Sequence, residues 1–386
     1  MRAWRHAWPG FLATLDGVGL CRFAYTPLIP FMITAGVVSA SAAAYLGAAN
    51  LAGYLVGAAV AAPLAARIGI GLALRLNFVL TVVALLLCVW PGGFWWYFPW
   101  RFLAGGAGAV AMVLAPSFIL ADIDPRLRGR SGGVIYGGVG AGIALSSLLV
   151  PLLAAVDLAW AWAGLALAAL LATAATWRRW RGSGPVLRRG RRHGARLSLP
   201  AWLIALAFGM DGIGFIPHML FWVDFIARAL GRGTAAGSAQ WLLFGLGAVF
   251  GPTLAGAIGD RIGLGRALIL AFVVKAAAVA LPAVALSTPW LALSSLLAGA
   301  FTPGIAALSA AAMTERVAPA DQTRAWGLAT LVFGIFQAGG AYGMSYVYTV
   351  LGTYLPLYAA GALFEALGAV IAYGALRLGA RDPRRL

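Results

Sequence analysis

The chain has 386 residues, of which 62% are hydrophobic and only 10% are charged, and its mean hydropathy is +0.90. A soluble protein carries roughly a quarter charged residues, so this composition excludes an ordinary soluble domain and requires much of the apolar surface to face lipid. The sequence therefore predicts an all-α membrane protein. It lacks the alternating strand pattern of a membrane β-barrel.

The formal net charge of +17 does not indicate nucleic-acid binding. The cations are arginines apart from Lys275, and they fall almost entirely in alternate loops between apolar segments. That distribution is a topology signal, and we expect no nucleic-acid partner. The two cysteines, Cys21 and Cys88, lie in apolar segments, and nothing there favours a disulfide.

The first apolar segment follows a basic stretch, MRAWRHAWPG, as in a signal peptide. The run is too long for a signal peptide, holds Asp16 and Arg22, and offers no convincing cleavage site. We therefore expect it to be retained as the first membrane-spanning helix.

Apolar segments of about 20 residues, separated by short loops, predict twelve transmembrane helices. In chain order they lie near residues 7–34, 40–65, 71–91, 94–120, 131–153, 157–177, 200–227, 236–258, 265–286, 290–313, 325–348 and 354–378. One long hydrophilic stretch separates the sixth from the seventh. The sequence thus predicts an N-terminal six-helix bundle at 1–177, a basic linker at 178–199 and a C-terminal six-helix bundle at 200–386.

Arginine distribution predicts the orientation. If the N-terminus is inside, the outer loops hold only two arginines, Arg228 and Arg232. The inner segments hold the linker arginines, the tail from Arg377, and Arg2, Arg5, Arg67, Arg75, Arg126, Arg128, Arg130, Arg261, Arg266, Arg316 and Arg324. This positive-inside bias predicts cytoplasmic termini and a cytoplasmic linker, and we expect a multi-pass protein of the bacterial inner membrane.

The two halves carry an internal repeat. The segments Asp16–Gly19 (DGVG) and Asp211–Gly214 (DGIG) share one pattern, 195 positions apart. At an offset of 194, residues 65–69 align with 259–263, 101–105 with 295–299, and 125–130 with 319–324. One offset at three separate places indicates two homologous six-helix halves related by an axis along the membrane normal.

Two motifs resemble those of the major facilitator superfamily. Residues 256–266, GAIGDRIGLGR, resemble its G-x-x-x-D-R-x-G-x-x-R loop, and residues 101–106, RFLAGG, resemble its fourth-helix arginine motif. The run 21–30, CRFAYTPLIP, is similar to the YbfB/YjiJ-like branch. The resemblance implies the two-bundle transporter fold and a gating loop formed by Asp260, Arg261 and Arg266. Because Ala66 replaces the acid in the first-half copy, a latch of this kind would depend on Asp260.

Arg22 and Arg101 are the arginines that we place within spans, where a charge costs at least a few kcal/mol and is a functional candidate. Arginine stays protonated, so each needs an anion, backbone carbonyls or water as a partner. They are predicted to hold an anionic substrate group or a proton-releasing acid. The alternatives are a structural bridge, for example with Asp16, or snorkelling of Arg101 toward the outer face.

Asp16, Asp211 and His218 are the candidates for proton coupling. An acid near an arginine can alternate between protonated and ionised forms as the two lobes rock, and histidine titrates in a range that suits a relay. The alternatives are carboxylates that bond backbone opened at the adjacent glycines, and a hydrogen-bonded interior histidine. Metal ligands at suitable spacing are absent, so we expect neither a metal nor a cofactor.

Helical phase limits how these residues act together. At about 100° per residue, Arg22 shares a face with Tyr25 and Thr26, whereas Asp16 points about 120° away. If the halves are symmetric, the face of Asp16 and the face of Arg22 cannot both point straight into a central cavity. Pro27, Pro30 and Pro217 can shift the phase because they break backbone hydrogen bonds, and the sequence leaves this open.

Lys275 lies about 13 Å along the ninth span from Arg266. Glu365 lies at a comparable depth in the twelfth span, and the superfamily resemblance implies that these two helices are neighbours. We predict a buried Lys275–Glu365 ion pair, with proton transfer between them as the alternative.

Other polar and aromatic residues within the spans are candidates for the lining of a substrate cavity, although such residues also mediate helix packing. These are Tyr25, Asn50, Tyr54, Tyr136, Trp222, Gln240, Phe244, Gln337 and Tyr342, together with His218, which is thus a candidate for both roles.

Together these observations predict a proton-coupled secondary transporter that moves a small organic anion or amphiphilic metabolite by rocker-switch alternating access. Arg22 would take the anionic group, with Tyr25 and Trp222 as walls, and the protein is expected to act as a monomer in the bilayer. The alternatives are a proton-antiport multidrug exporter and a transport-dead sensor or scaffold. We expect no enzyme, because HExxH, GxSxG and a Ser/His/Asp set with family spacing are absent.

Overall fold

The computed structural model describes residues 2–121, 123, 128–181, 197–317 and 321–379, which form twelve helices and no strand. Most of the predicted linker, residues 182–196, lies outside this part of the chain. Each predicted span overlaps one helix, so the predicted all-α fold is confirmed. The helices are α1 (segments Arg2–Thr14, Leu15–Phe23 and Tyr25–Thr34), α2 (Ala40–Ile68), α3 (Ile70–Leu87), α4 (Gly93–Ala121), α5 (Arg128–Ala154), α6 (Leu158–Thr176), α7 (segments Leu199–Gly214, Pro217–Phe221, Trp222–Asp224 and Phe225–Ala229), α8 (Gly233–Ile262), α9 (Leu264–Val284), α10 (Thr288–Thr314), α11 (Gln322–Leu351) and α12 (Leu355–Gly379).

Eleven of these helices are long and apolar enough to cross a membrane. The remaining helix, α1, is interrupted at Ala24 and holds Asp16 and Arg22. It packs against α4 and α5, which enclose Asp16, whereas Arg22 also contacts Met219 of α7. Burial by neighbouring helices is what allows this polar segment to lie within an apolar bundle.

Both α1 and α7 contain wide helical turns, in which each N–H bonds five residues back. In α1 this geometry covers Leu15–Phe23, and the Ala24 N–H bonds the Gly19 carbonyl at 3.0 Å. In α7 it covers Pro217–Phe221 and Phe225–Ala229. Pro27 and Pro217 lack the N–H that a regular helix needs, so the local hydrogen-bond ladder must change. The extra residue per turn changes which side chains share a face, and the phase of 100° per residue does not hold across these segments.

Matched glycine seams hold each half together. In the first half, Cβ atoms added at Gly53 and Gly105 would collide with backbone carbonyls across the contact between α2 and α4. In the second half, Gly247, Gly251 and Gly299 play the same part between α8 and α10. Gly247 and Gly299 follow Gly53 and Gly105 by 194 positions, so the repeat preserves this close backbone approach.

We expect Gly251→Ala to destabilise the protein, because the added methyl group would meet the Ala300 carbonyl and force α8 away from α10. Overpacking of this kind costs about 1–3 kcal/mol. Thermal unfolding in detergent should show a lower Tm. The matched control is Gly256→Ala in the same helix, where an added Cβ meets nothing within 4 Å. An equal Tm for the two variants would show that the close approach at Gly251 does not exclude a methyl group.

The two halves meet mainly at three helix pairs, α1 with α7, α2 with α11, and α5 with α8, and smaller contacts join α1 to α8 and α2 to α7. In the middle of the bundle, a Cβ on Gly140 of α5 would lie 2.6 Å from Val249 of α8. Two turns further toward the start of α5 and the end of α8, a Cβ added at Gly133 or Gly256 would meet no atom of another element within 4 Å. The halves therefore touch at mid-depth and diverge toward one side of the bundle.

That side is where α1 begins and α12 ends, and we call it the basic side because Arg67, Arg75, Arg261 and Arg266 lie there. On the opposite side the halves are in contact. Thr26 of α1 hydrogen-bonds the backbone carbonyl of Met219 in α7, and Leu220 of α7 packs against Gly47 of α2.

Candidate transport site

Arg22 lies where α1 meets α7, and only 7% of its surface is exposed. Its Nη2 contacts the Met219 sulfur of the other half at 3.2 Å. Three aromatic rings surround the guanidinium, with centroids 5.1 Å (Phe23), 5.0 Å (Tyr54) and 5.8 Å (Phe215) from its Cζ. These rings come from α1, α2 and α7, so the cage is built by both halves.

No acid of the described residues forms an ion pair with Arg22, and its Nε has no hydrogen-bond partner. Aromatic faces and a thioether are weak partners for a guanidinium removed from water. A planar cation with free donors is well suited to bind a carboxylate or phosphate. The site therefore combines a cation that has free donors with apolar walls.

The stack of rings continues from this cage into the second half. The ring centroids of Phe23 and Trp241 of α8 are 6.1 Å apart, and Trp241 stacks on Phe244 with a centroid distance of 4.7 Å. An aromatic surface thus extends from Arg22 across the interface between the halves.

Arg101 of α4 is enclosed within the first half, with 1% of its surface exposed. Its Nη1 donates to the Cys21 carbonyl at 3.0 Å, and its Cζ lies 4.1 Å from the centroid of the Tyr25 ring. Tyr25 in turn donates to the Ala43 carbonyl, and Asn50 donates to the Arg101 carbonyl. Tyr25 therefore lies beneath Arg101, and these contacts join α1, α2 and α4.

A triad of charges lies inside the second half. Lys275 Nζ of α9 bonds Asp211 Oδ1 of α7 and lies 3.3 Å from Glu365 Oε1 of α12. The three side chains are 0%, 1% and 0% exposed, in that order. Gly214 makes room for the acid, since a Cβ there would lie 2.6 Å from the Glu365 carboxyl group.

Phe215 lies between this triad and Arg22. Its ring centroid is 5.1 Å from Lys275 Nζ and 5.8 Å from Arg22 Cζ. The buried triad of the second half and the cation at the interface therefore face the same ring.

Asp16 has no such partners. It is 1% exposed, and neither carboxylate oxygen has a hydrogen-bond partner within the described residues. At an offset of 194, Thr81 and the lipid-exposed Leu171 stand where the second half has Lys275 and Glu365. Thr81 contacts Cys21 of α1. The first half therefore keeps the acid of the repeat but lacks its cation.

His218 is fully buried and is held in one tautomer. Ser294 Oγ donates its only proton to the Ala278 carbonyl at 2.6 Å, so it must accept from His218 Nε2, 2.8 Å away. His218 therefore carries its proton on Nε2, and its Nδ1 has no partner. The ring stacks on Trp222 at 4.4 Å.

Trp222 is also enclosed in the second half and donates to Ser295, which donates to Gln240. Both Trp222 and His218 thus belong to a hydrogen-bonded layer among α7, α8 and α10.

The remaining candidates occupy varied places. Tyr342 lies 6.2 Å from Tyr45 across the α2–α11 contact. Gln337 is buried in α11 with both amide atoms unpartnered, and Tyr136 of α5 is 39% exposed. Asp260, Arg261 and Arg266 are exposed on the basic side, and none forms an ion pair with a described residue.

The adjacent loops of the two halves turn at matching glycines. Gly69 and Gly263 have φ values of 84° and 89°, in a region that favours glycine.

The sequence analysis overlooked a second charge cluster, on the opposite side. Asp224 of α7 accepts from Arg228 at 2.5 and 2.8 Å and also from the Tyr354 hydroxyl. The spacing of four residues between Asp224 and Arg228 is a sequence signal for a helical ion pair. Met219 carried no such signal, because its contact with Arg22 depends on how the halves pack.

These features define a class of protein: a two-lobed helical membrane transporter. The fold is similar to that of the xylose transporter XylE from E. coli in a partially occluded inward-open conformation, with TM-score 0.72 and 15% identity over 96% of this chain and 98% of that chain. At that identity the likeness establishes the fold alone.

Residues 14–373 match the family described as "Uncharacterised MFS-type transporter YbfB", and the chain belongs to this family of the major facilitator superfamily. It is a transporter and not an enzyme. A search of the curated proteins finds no match.

We expect Tyr354→Phe to lower the stability of the second half, because it removes the hydroxyl that bonds the buried Asp224 carboxylate while keeping the ring. A hydrogen bond to a charged group is worth about 1.5–3 kcal/mol. The measurement is thermal unfolding in detergent. Tyr346→Phe, at a side chain that is 63% exposed, serves as the control and should leave Tm unchanged. Equal unfolding of the two variants would show that the Asp224 contact contributes nothing.

Proposed function

We propose that this protein is a proton-coupled secondary transporter of a small organic anion, working by alternating access. One observation carries the proposal: a buried guanidinium, Arg22, lies between the two halves inside an aromatic cage and has no acidic partner among the described residues. A charge in the apolar layer is tolerated where it serves a function, and an anionic substrate would supply the missing partner.

The cage favours an amphiphilic anion. Phe23, Tyr54 and Phe215 are the rings nearest to Arg22, so a flat or apolar body attached to a carboxylate would meet apolar walls on several sides. Tyr25 and Trp222 would act indirectly, by holding α1 and α7 in place.

The contacts between the two halves support alternating access. The Arg22–Met219 and Thr26–Met219 contacts join the halves on the opposite side, and the halves diverge on the basic side. Rocking of the halves would break the contacts on the opposite side and close the gap on the basic side. Arg22 would then be exposed to each side in turn. The arginine-rich loops favour a cytoplasmic basic side in a bacterial inner membrane.

Proton coupling would use the buried acids. Asp211 lies in the triad with Lys275, and Asp16 lies alone in the first half. In the tautomer described, His218 is a neutral member of a hydrogen-bonded layer, so it would pass a proton only after the Ser294 bond rearranges.

A multidrug exporter is the second candidate. The unpartnered Asp16 favours it, because a buried acid can attract an organic cation. Removing Arg22 would abolish anion transport, whereas it would spare the export of cationic drugs.

We expect Arg22→Ala to reduce transport of an organic anion by at least about tenfold, since one charge-assisted hydrogen bond contributes about 1.5–3 kcal/mol. Candidate anions come first from a thermal-shift screen of mono- and dicarboxylates on the wild-type protein. Flux of those that stabilise it is then measured in proteoliposomes with an imposed pH gradient. Arg22→Lys should recover only part of the activity, because lysine lacks the planar fork.

The control for this experiment is Arg377→Ala, at an exposed arginine near the end of α12. If no carboxylate binds, or if Arg22→Ala transports as the wild type does, the proposed function is wrong. Export of cationic dyes that survives Arg22→Ala would favour the exporter.

A further inference from the structure

We infer that the coupled proton resides in the Asp211–Lys275–Glu365 triad, and that binding of the anion at Arg22 and binding of the proton at the triad promote each other. The inference deepens the proposed function and depends on it for the role of the anion. It predicts symport of a proton with the anion and assigns the proton site to Glu365 and Asp211.

The charge count of the triad favours a bound proton. Two carboxyl groups share one ammonium group, and all three side chains are at most 1% exposed. With every group ionised the triad would carry one negative charge in a dry site, which is costly. With one proton on the carboxyl pair it is neutral. Apart from the Lys275 contact with Glu365 Oε1, the Glu365 oxygens and Asp211 Oδ2 lack hydrogen-bond partners, so the pair has free acceptor positions for that proton.

Other ionisable groups around the triad do not supply the missing positive charge. His218 on α7 is neutral, because its buried Nδ1 has no acceptor for a second proton, and Tyr358 on α12 is a neutral phenol packed on His218. Gln337 on the adjacent α11 is uncharged, and Asp16 and Arg101 belong to the other half. The remaining charge that faces the triad is Arg22, across the Phe215 ring.

Arg22 therefore links substrate and proton. When the anion site is empty, the positive charge of Arg22 stabilises the ionised, negative form of the triad through the low-dielectric interior. When an anion binds Arg22, that positive charge is neutralised, and the triad becomes more stable with its proton. Linkage is reciprocal, so the protonated triad also favours the anion-bound site. Each cycle then carries one proton with one monoanion, which is electrically neutral.

Phe215 is the positioning residue of this link. It excludes water between Lys275 and Arg22 while keeping each within 6 Å of its ring centroid, at 5.1 and 5.8 Å. The repeat has no equivalent in the first half, where Thr81 replaces Lys275. Coupling through this route therefore belongs to the second half alone.

The proton site is tested without any substrate by infrared spectroscopy of the purified full-length protein. The C=O stretch of a protonated buried carboxyl group should be present in the wild type at neutral pH and should lose intensity in both Glu365→Gln and Asp211→Asn. In Arg22→Gln, which removes the facing positive charge, the triad's band should persist to a higher pH than in the wild type. Asp157→Asn, at the exposed N-cap of α6, is the control and should not change the band.

Coupling is tested with benzenesulfonate, an aromatic monoanion that matches Arg22 and its rings and that does not cross the bilayer as a neutral acid. One proton per anion allows about tenfold accumulation in proteoliposomes for each unit of pH gradient. Glu365→Gln should lose this accumulation but still exchange labelled for unlabelled benzenesulfonate, because exchange moves no net proton. Asp211→Asn is the second variant, in case the first does not fold.

The outcomes separate the two claims. If benzenesulfonate exchange is lost in Arg22→Ala while Glu365→Gln still accumulates benzenesulfonate, the proton site is wrong and the proposed function stands. If the wild type exchanges no benzenesulfonate, the infrared titration alone decides the proton site. An unchanged band in Glu365→Gln and Asp211→Asn, or the same titration in Arg22→Gln as in the wild type, would overturn the inference.

Discussion

The structure depends on how a few charges are kept in a layer that has almost no water. Arg22 and Lys275 are both cations in membrane-spanning segments, but their partners differ in kind. Lys275 receives two carboxyl groups inside one half, whereas Arg22 receives rings and a sulfur atom at the contact between halves. Pairing with carboxyl groups offsets the cost of burying a cation, whereas a buried cation without an acid is a functional candidate. The difference in partners separates the interior of the second half from the proposed transport path.

The two halves share glycine positions at one offset but differ in their chemistry. The glycine seams between α2 and α4 and between α8 and α10 recur at one offset, because close backbone contact tolerates no side chain. The aspartate–glycine patterns of α1 and α7 are alike in sequence but not in contacts. Gly214 accommodates Glu365, whereas Gly19 lies against the backbone of Gly142 in α5. The same short pattern thus serves a charge cluster in one half and helix packing in the other.

Much of the fold could be predicted from the sequence, since span lengths and hydropathy directly reflect the thickness of the apolar layer. The family resemblance and the predicted all-α fold are confirmed, and of the twelve helices in the described residues eleven are long and apolar enough to cross a membrane. The roles of individual residues stay predictions. Lys275 and Glu365 could be brought together by depth and by the expected neighbourhood of their helices, but Asp211 could not be added to them. The Asp224–Arg228 ion pair was not predicted, although the spacing of four residues indicates one.

By itself, the sequence determined the class of protein, the number of helices, the repeat and the presence of unusual charges, because these depend on composition and spacing along the chain. Tertiary structure alone decided that Arg22 faces the contact between the halves while Asp16 is enclosed in one of them. The physical reason is the wide-turn geometry of Leu15–Phe23, which changes helical phase through hydrogen bonds. A phase that depends on the backbone ladder cannot be calculated from a fixed angle per residue.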